Sequence, residues 1–436
     1  MLGTSPGLTN LDDDLFPRHM IAELTQALEA ARVVNIIGPR QAGKTTLVRD
    51  IYKKGRFITL DNDATLTALE NDPIGQLEAL TQATDVPLII DEAQRSKRLA
   101  MAIKVLVDAR RRMGQFILTG SSNIFTHADV MDSLAGRVQT LPLRPLSAAE
   151  IYRAPPVTVL DWARHAENLG ALPSPPPFTR SEVMNLVTRG GYPEIRPLGE
   201  RARQKRYRAY IDSIVDRDVA DILRVRKTDA LRRLIDQLAV RTSQELNIQA
   251  LCSNVGIQRP TAEQYCDVLE RLSLTERLGA WASGEARRDV RHPKLHVLDT
   301  GICAALRNLG SDSFVADAHP AALGGLLESW VFSELRKNLP YQADTWRLWH
   351  WRGDRGRKVD ILAESGRSLI AFEVKASATI TPGDLKNLRW FMSEGPGRSW
   401  NTVGIILSLG DQPLSFGDRL FALPLSVFWA KGWKQG

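Results

Sequence analysis

Short apolar runs alternate with helical periodicities through the first third of the chain. Residues 18–31 carry Ile21, Leu24 and Leu28 at helical spacing, and Val33, Val34, Ile36 and Ile37 follow as a strand. A helix bearing Leu47, Val48 and Ile51 comes next, then strands over 56–60 and 86–90. A helix over about 98–112 and strands over 115–119 and 138–141 complete the series. Such alternation predicts an α/β fold, a parallel sheet sandwiched by helices, with any ligand at the carboxyl ends of the strands.

The pattern then changes. Residues 151–178 hold Pro155, Pro156, Pro173, Pro175, Pro176 and Pro177, which break helices and predict a connection after the first domain. Helical periodicity returns at Ser181, and residues 201–227 are dense in Arg and Lys with Tyr207 and Tyr210 interleaved. That stretch reads as a helical lid. It either tracks a phosphate backbone, places Arg217 on a nucleotide, or pairs internally with Asp212, Asp216, Asp218 and Asp221.

Residues 229–290 read as three short helices and a β ribbon. Leu231, Leu234, Ile235 and Leu238 mark the first helix, 248–255 the second and 260–272 the third, with Gly256 in the intervening turn. This is a winged helix-turn-helix pattern. Gln258, Arg259, Thr261, Gln264 and Arg288 are its candidate DNA contacts, although such domains also serve as protein-binding modules. The expected boundaries are 1–150, 151–228, 229–291 and 292–436.

The chemistry starts at the end of the first strand. Gly38-Pro39-Arg40-Gln41-Ala42-Gly43-Lys44-Thr45 fits G-x-x-x-x-G-K-[ST], with Thr46 next in line. In such a loop backbone N–H groups cradle phosphates, Lys44 reaches the β and γ phosphates, and Thr45 offers its hydroxyl to Mg²⁺. The strand Val86–Ile90 runs into Asp91-Glu92, placing Asp91 to hold the Mg²⁺ shell and Glu92 to orient water. After the strand at 115–119, Ser121 is the first choice to sense the γ phosphate, with Ser122 and Asn123 as alternatives. Arg137 either supplies transition-state charge, in its own or a neighbouring site, or forms a structural salt bridge. ATP is the default nucleotide, because no guanine-selecting motif follows the loop.

Composition narrows the setting. Three cysteines, Cys252, Cys266 and Cys303, show no ligand spacing and no disulfide framework, which fits a reducing, cytoplasmic location. No apolar run approaches the ~18 residues that span a bilayer, so no membrane partner is expected. A net charge of +7 favours a polyanionic partner such as DNA. A protein partner and a homo-oligomer stay open.

The motifs "GPRQAGKTTL", "LIIDEAQ", "LTGSSN", "LAGRV", "TRGGYPE", "YIDSIVDRDV" and "LHVLDTGI" together resemble AAA-type ATPases that carry a C-terminal domain of the DUF4143 type. The resemblance implies a P-loop ATPase core coupled to a winged helix and a restriction-endonuclease-like α/β segment. In that last segment Glu328 on an amphipathic helix, Asp360 after a turn and Glu373 within a strand follow the order of the nuclease core, as does Lys375. Asp360 and Glu373 would bind one or two Mg²⁺, Glu328 would complete the shell, and Lys375 would activate water. Lys358 stands where many such proteins have an acidic residue. Trp346, Trp349 and Trp351 read as a buried aromatic face or a base-stacking platform. Two functions follow: an ATP-dependent enzyme that cuts DNA, or an ATP-gated switch whose distal domains bind DNA or protein without cutting.

Overall fold

The computed structural model describes residues 15–82, 85–120, 134–219, 228–283, 292–314 and 320–433. The side chains of residues 217, 218, 320 and 321 are outside that description. The first domain contains α1 (Met20–Ala30), β1 (Val33–Ile37), α2 (Lys44–Thr46, continuing as a π-helical stretch Leu47–Tyr52) and β2 (Arg56–Thr59). It continues with α3 (Asp63–Asn71), α4 (Pro73–Thr81), β3 (Leu88–Asp91), α5 (Leu99–Ala109), β4 (Phe116–Gly120) and β5 (Val138–Pro142). The strands pair in parallel in the order β2-β3-β4-β1-β5, which puts β4 between the P-loop strand and the acidic strand.

Alternation along the strands builds the two layers. Val33, Leu88, Ile90, Phe116 and Leu118 pack with Leu99, Ile103 and Leu106 of α5 on one face. Val34, Ile36, Ile89 and Ile117 pack with Leu24 and Ala27 of α1 and with Leu47 and Val48 on the other. A strand buried on both faces reads as a near-continuous apolar run, and β1 does so apart from the buried Asn35.

Beyond this domain lie α6 (Ala148–Ile151), α7 (Val159–His165), α8 (Arg180–Arg189) and α9 (Glu200–Ser213, continuing as π-helical Ile214–Val219). Then come α10 (Asp229–Val240), β6 (Gln244–Glu245), α11 (Ile248–Val255), α12 (Arg259–Arg271), β7 (Thr275–Leu278) and β8 (Lys294–Val297). The three strands pair antiparallel in the order β6-β8-β7, the topology of a winged helix. Strand β8 lies past residue 291, so the winged-helix sheet extends beyond the expected boundary. After it, α13 (Thr300–Leu306) returns to pack on α8 and α9, joining lid and winged helix in one core.

The C-terminal domain holds α14 (Pro320–Asn338), β9 (Arg347–Arg352), β10 (Lys358–Ser365), β11 (Ser368–Val374), α15 (Pro382–Ser393), β12 (Asn401–Ser408), β13 (Leu414–Ser415) and β14 (Leu420–Pro424). Its sheet order is β13-β14-β12-β11-β10-β9, antiparallel from β9 to β11 and parallel from β11 through β12 to β14. Helices α14 and α15 cover opposite faces, with Phe372 in the core on the α14 side and Ala371 in the core on the α15 side. The segment after β7 lies against the outer strand β9, where Trp281 N–H donates to the His350 carbonyl at 2.7 Å. This contact covers part of an otherwise open sheet edge.

Candidate functional sites at the P-loop and in the C-terminal sheet

The P-loop leaves the carboxyl end of β1 and turns on two glycines. Gly38 has φ +157°, and a Cβ there would stand 2.1 Å from the Leu143 carbonyl oxygen; Gly43 has φ +94°. Lys44 is buried and donates from Nζ to the carbonyls of Gly38 and Pro39, both at 2.9 Å. Burial pushes its pKa down to about 8, with Glu92 and Asp91 opposing the shift. Ala42 is fully buried and its carbonyl accepts from Arg18 at 2.8 Å, which pins the loop to the segment leading into α1.

Thr45 Oγ1 donates to both oxygens of Asp91 at 3.1 Å. The Thr119 hydroxyl, at the end of β4, also donates to Asp91. A carboxylate ringed by hydroxyls is a hard-oxygen donor set, so Thr45 and Asp91 fit Mg²⁺. Glu92 has φ +54° and accepts from Gln94 Nε2. Burial raises its pKa, the direction that suits a group handling a water proton.

A cavity of about 660 Å³ opens over these groups. Arg40, Gln41, Gly43, Lys44, Thr45 and Thr46 form its floor, and Glu92 and Arg95 form one wall. Glu194, Arg206 and Tyr210 close it from the lid, and the Tyr210 hydroxyl donates to the Arg40 carbonyl at 3.2 Å. Glu194, Tyr210 and Thr119 fall within the motifs TRGGYPE, YIDSIVDRDV and LTGSSN, which assign them no nucleotide role, and Arg206 stands outside the motifs. Their signal is the i,i+4 spacing of Arg206 and Tyr210 on α9, which puts both on one face of the basic helix.

Two expectations about this site change. Ser121, with Ser122 and Asn123, lies outside the described residues. Arg137 lies at the wrong edge of the sheet for its own nucleotide: its carbonyl accepts from Val33 N–H at the start of β1. The length of β1, roughly 16 Å at 3.3 Å per residue, separates it from the loop. Its guanidinium forms a two-pronged pair with Asp108 at 2.6 and 2.9 Å, the structural salt bridge. A nucleotide role for Arg137 would have to be in a neighbouring copy.

The second polar centre lies in the C-terminal sheet. A β-bulge in the β9–β10 pairing, between Val359 and Leu362, brackets Asp360. Asp360 Oδ2 accepts from Val374 N–H at 3.1 Å, and Oδ1 accepts from Lys358 Nζ at 2.8 Å. Glu328 approaches from α14 and accepts from Lys294 Nζ at 2.6 Å; that same ammonium donates to the Asp360 carbonyl at 3.2 Å. Glu373 shares the face of Ala371, toward α15, where Lys375 Nζ bridges Glu373 at 3.1 Å and Asp384 at 3.3 Å.

The expected metal set therefore does not converge. Among the described residues no group of three acidic, His or Cys side chains is placed to hold a metal ion. Glu328 and Glu373 come to Asp360 from opposite faces of the sheet, and lysine ammonium groups hold the oxygens. Of the three carboxylates, Glu373 alone has a buried oxygen without a partner, Oε2. Lysine ammonium groups and the Val374 N–H hold both oxygens of Asp360 and one oxygen each of Glu328 and Glu373, a poor start for an octahedral Mg²⁺. Burial pushes Glu328 up to about 7 even with Lys294 beside it. Asp360 is held below the usual carboxylate range, since Lys294 and Lys358 outweigh its burial. Lys375 is spent on two carboxylates rather than free to act on water.

Other candidates sort by exposure. Gln258, Arg259 and Gln264 are exposed at the start of α12, Thr261 is half-buried, and Arg259 pairs with Glu263 at 2.8 Å. Arg288, like the side chain of Arg217, lies outside the description. Arg201, Lys205 and Arg208 are exposed on α9, whereas Asp212 and Asp216 pair with Arg232 of α10. Trp351 stacks on Trp390 at 6.0 Å on the α15 side, and Trp346 is buried in the core on the other side. Both are packing residues.

Three stretches of the chain match family models. Residues 30–152 match the AAA domain model (AAA_14), 180–313 a domain of unknown function (DUF8612) and 323–428 another domain of unknown function (DUF4143). The uncharacterized proteins Rv2008c of Mycobacterium tuberculosis and Mb2031c of Mycobacterium bovis are each 29% identical over 364 residues, 83% of this chain and 74% of their own. The Walker-type ATPase PABY2304 of Pyrococcus abyssi is 14% identical with a TM-score of 0.42, covering 68% of this chain and 97% of that one. Among the described residues no helix is long and apolar enough to cross a membrane. The chain carries a P-loop AAA domain of the AAA_14 type joined to a C-terminal DUF4143 domain.

Proposed function

We propose that the chain binds and hydrolyses ATP with Mg²⁺ and that its lid passes the nucleotide state to a DNA-contacting winged helix. The observation that carries this reading is the contact of Thr45 with Asp91, beside Lys44 and Glu92, in a cavity roofed by α9. Mg²⁺ held by Thr45 and Asp91 would neutralise charge on the β and γ phosphate oxygens. Lys44 releases the Gly38 and Pro39 carbonyls and turns to the phosphates. Glu92 orients the attacking water, and Arg206 meets the nucleotide from the lid.

The path to the winged helix is short. Tyr210 donates to Arg40 in the P-loop and pairs with the Tyr192 hydroxyl at 3.1 Å. Next to Tyr192, Gly191 N–H donates to buried Asp299 at 2.7 Å, two residues past β8. The exposed Gln258, Arg259 and Gln264 at the start of α12 are the surface offered to DNA.

The test is ATP turnover with and without duplex DNA. Glu92→Gln should lower turnover about a hundredfold or more. DNA should change the wild-type rate, and Gln258→Ala/Arg259→Ala should abolish that response. Turnover of Glu92→Gln at the wild-type rate would overturn the hydrolytic reading, and a wild-type rate indifferent to DNA would overturn the DNA reading.

A further inference from the structure

We propose that Lys294, supplied by the winged helix, is the resident cation of the C-terminal carboxylate centre and excludes a divalent metal from it. The centre then acts as an ionic lock between winged helix and C-terminal sheet. This inference does not rest on the ATPase reading, because it concerns another site.

Four observations carry it. First, Lys294 cannot swing away easily. Residues 294 and 296 of β8 point to the same side, toward α14, and His296 is clamped there: its Nδ1 lies 3.0 Å from Ser329 Oγ and its ring stacks on Phe332 at 4.3 Å. Thr242, at the mouth of β6, meets the same Ser329 hydroxyl at 2.7 Å and accepts from Val297 N–H at 3.0 Å. The strand is thus bolted to α14 two and three residues past the lysine. Second, the Lys294 side chain is 9% exposed, and its ammonium touches Glu328 Oε1 at 2.6 Å, the Asp360 carbonyl at 3.2 Å and Asp360 Oδ1 at 3.7 Å. An ammonium has three N–H donors, and three oxygens surround it.

Third, charge leaves little for a metal. Lys294, Lys358 and Lys375 face Glu328, Asp360 and Glu373, with Asp384 on the far side of Lys375. A divalent ion entering without expelling a lysine would leave an uncompensated positive charge in a buried place. Fourth, the lysines differ in freedom. Both Lys358 and Lys294 line a cavity of about 380 Å³, but the Lys358 side chain is 48% exposed and can turn to solvent, whereas that of Lys294 is 9% exposed. Lys294 alone comes from outside the C-terminal domain, so it joins two domains as well as filling the centre.

The experiment counts Mn²⁺ bound to nucleotide-free full-length protein by electron paramagnetic resonance. In the wild-type background Asp360→Asn should leave Mn²⁺ binding unchanged. Lys294→Met should gain one Mn²⁺ per chain, bound at least about tenfold more tightly than any wild-type site, and adding Asp360→Asn should remove it. Lys294→Gln repeats the test with a polar replacement, and circular dichroism checks that each variant is folded. Asp360-dependent Mn²⁺ binding by the wild type would overturn the proposal, and that arm stands even if neither lysine variant folds. Folded Lys294→Met and Lys294→Gln proteins that bind no more Mn²⁺ than the wild type would also overturn it.

Discussion

The P-loop centre and the C-terminal centre are made of the same residue types and arranged to opposite ends. At the P-loop, Lys44 is satisfied by two backbone carbonyls, and Asp91 is held by the hydroxyls of Thr45 and Thr119. Carbonyls release a lysine readily, and hydroxyls can turn their lone pairs to a metal, so both groups are ready for an incoming metal–phosphate. In the C-terminal sheet the lysines bind the carboxylates directly. What separates a site ready for a cation from one already holding its own is therefore which oxygens the lysines occupy and whether hydroxyls or ammonium groups hold the carboxylates.

That comparison can be broken or sharpened in order of effect. The largest should come from Lys44→Met, which removes the phosphate-binding charge: turnover should fall about a thousandfold, ~4 kcal/mol in the barrier, without loss of the fold. Normal turnover would place the phosphates elsewhere. The mirror experiment, Lys294→Met, should retain ATP turnover but lower unfolding stability by about 3–5 kcal/mol, because Glu328 and Asp360 are left buried with a partner missing. Urea unfolding measures this, and an unchanged midpoint would show that Lys294 is not a lock.

A smaller effect is set by pH. Lys44 in the free protein has its pKa lowered to about 8, and phosphates require the ammonium form. Below that pH the lysine is already charged and ATP affinity is flat; above it, binding takes up a proton, so the dissociation constant rises by up to about tenfold per pH unit. The stability sign agrees: the unfolded lysine keeps its proton to higher pH, so the cost of burying the charge is relieved as pH rises above about 8. Calorimetry in two buffers of different ionisation enthalpy reads the proton uptake directly, and its absence at pH 9 would sink the assignment. Smallest is Tyr210→Phe, which deletes the hydroxyl bond to Arg40; it should weaken ATP binding by about fivefold, ~1 kcal/mol.

The two centres also differ in how far they could be read from the chain. Contiguous motifs mark the P-loop, because Lys44 and Thr45 are fixed by local backbone and Asp91 by the end of its strand. All five strands of the first sheet fall within about two residues of their expected positions; the three central ones, β1, β3 and β4, are apolar runs buried on two faces. For Arg137 the sequence left a nucleotide role and a structural salt bridge open, and only the register with Val33 and the pair with Asp108 show which edge it occupies and what it touches. Arg206 was hidden within a basic run, and Tyr210, although visible in it, gave no sign of facing the P-loop, because the helical face matters more than the charge. Lys294 was invisible. Its partners lie 34 and 66 residues further on, and a lysine on a winged-helix strand carries no local sign that the next domain will close over it.

The most direct measurement is the number of Mn²⁺ ions bound tightly per wild-type chain, with and without a non-hydrolysable ATP analogue. One ion with nucleotide and none without is the predicted result, since the P-loop site needs phosphates to complete its shell and the C-terminal centre is filled by Lys294. A tightly bound ion that persists without nucleotide and disappears in Asp360→Asn would contradict the account.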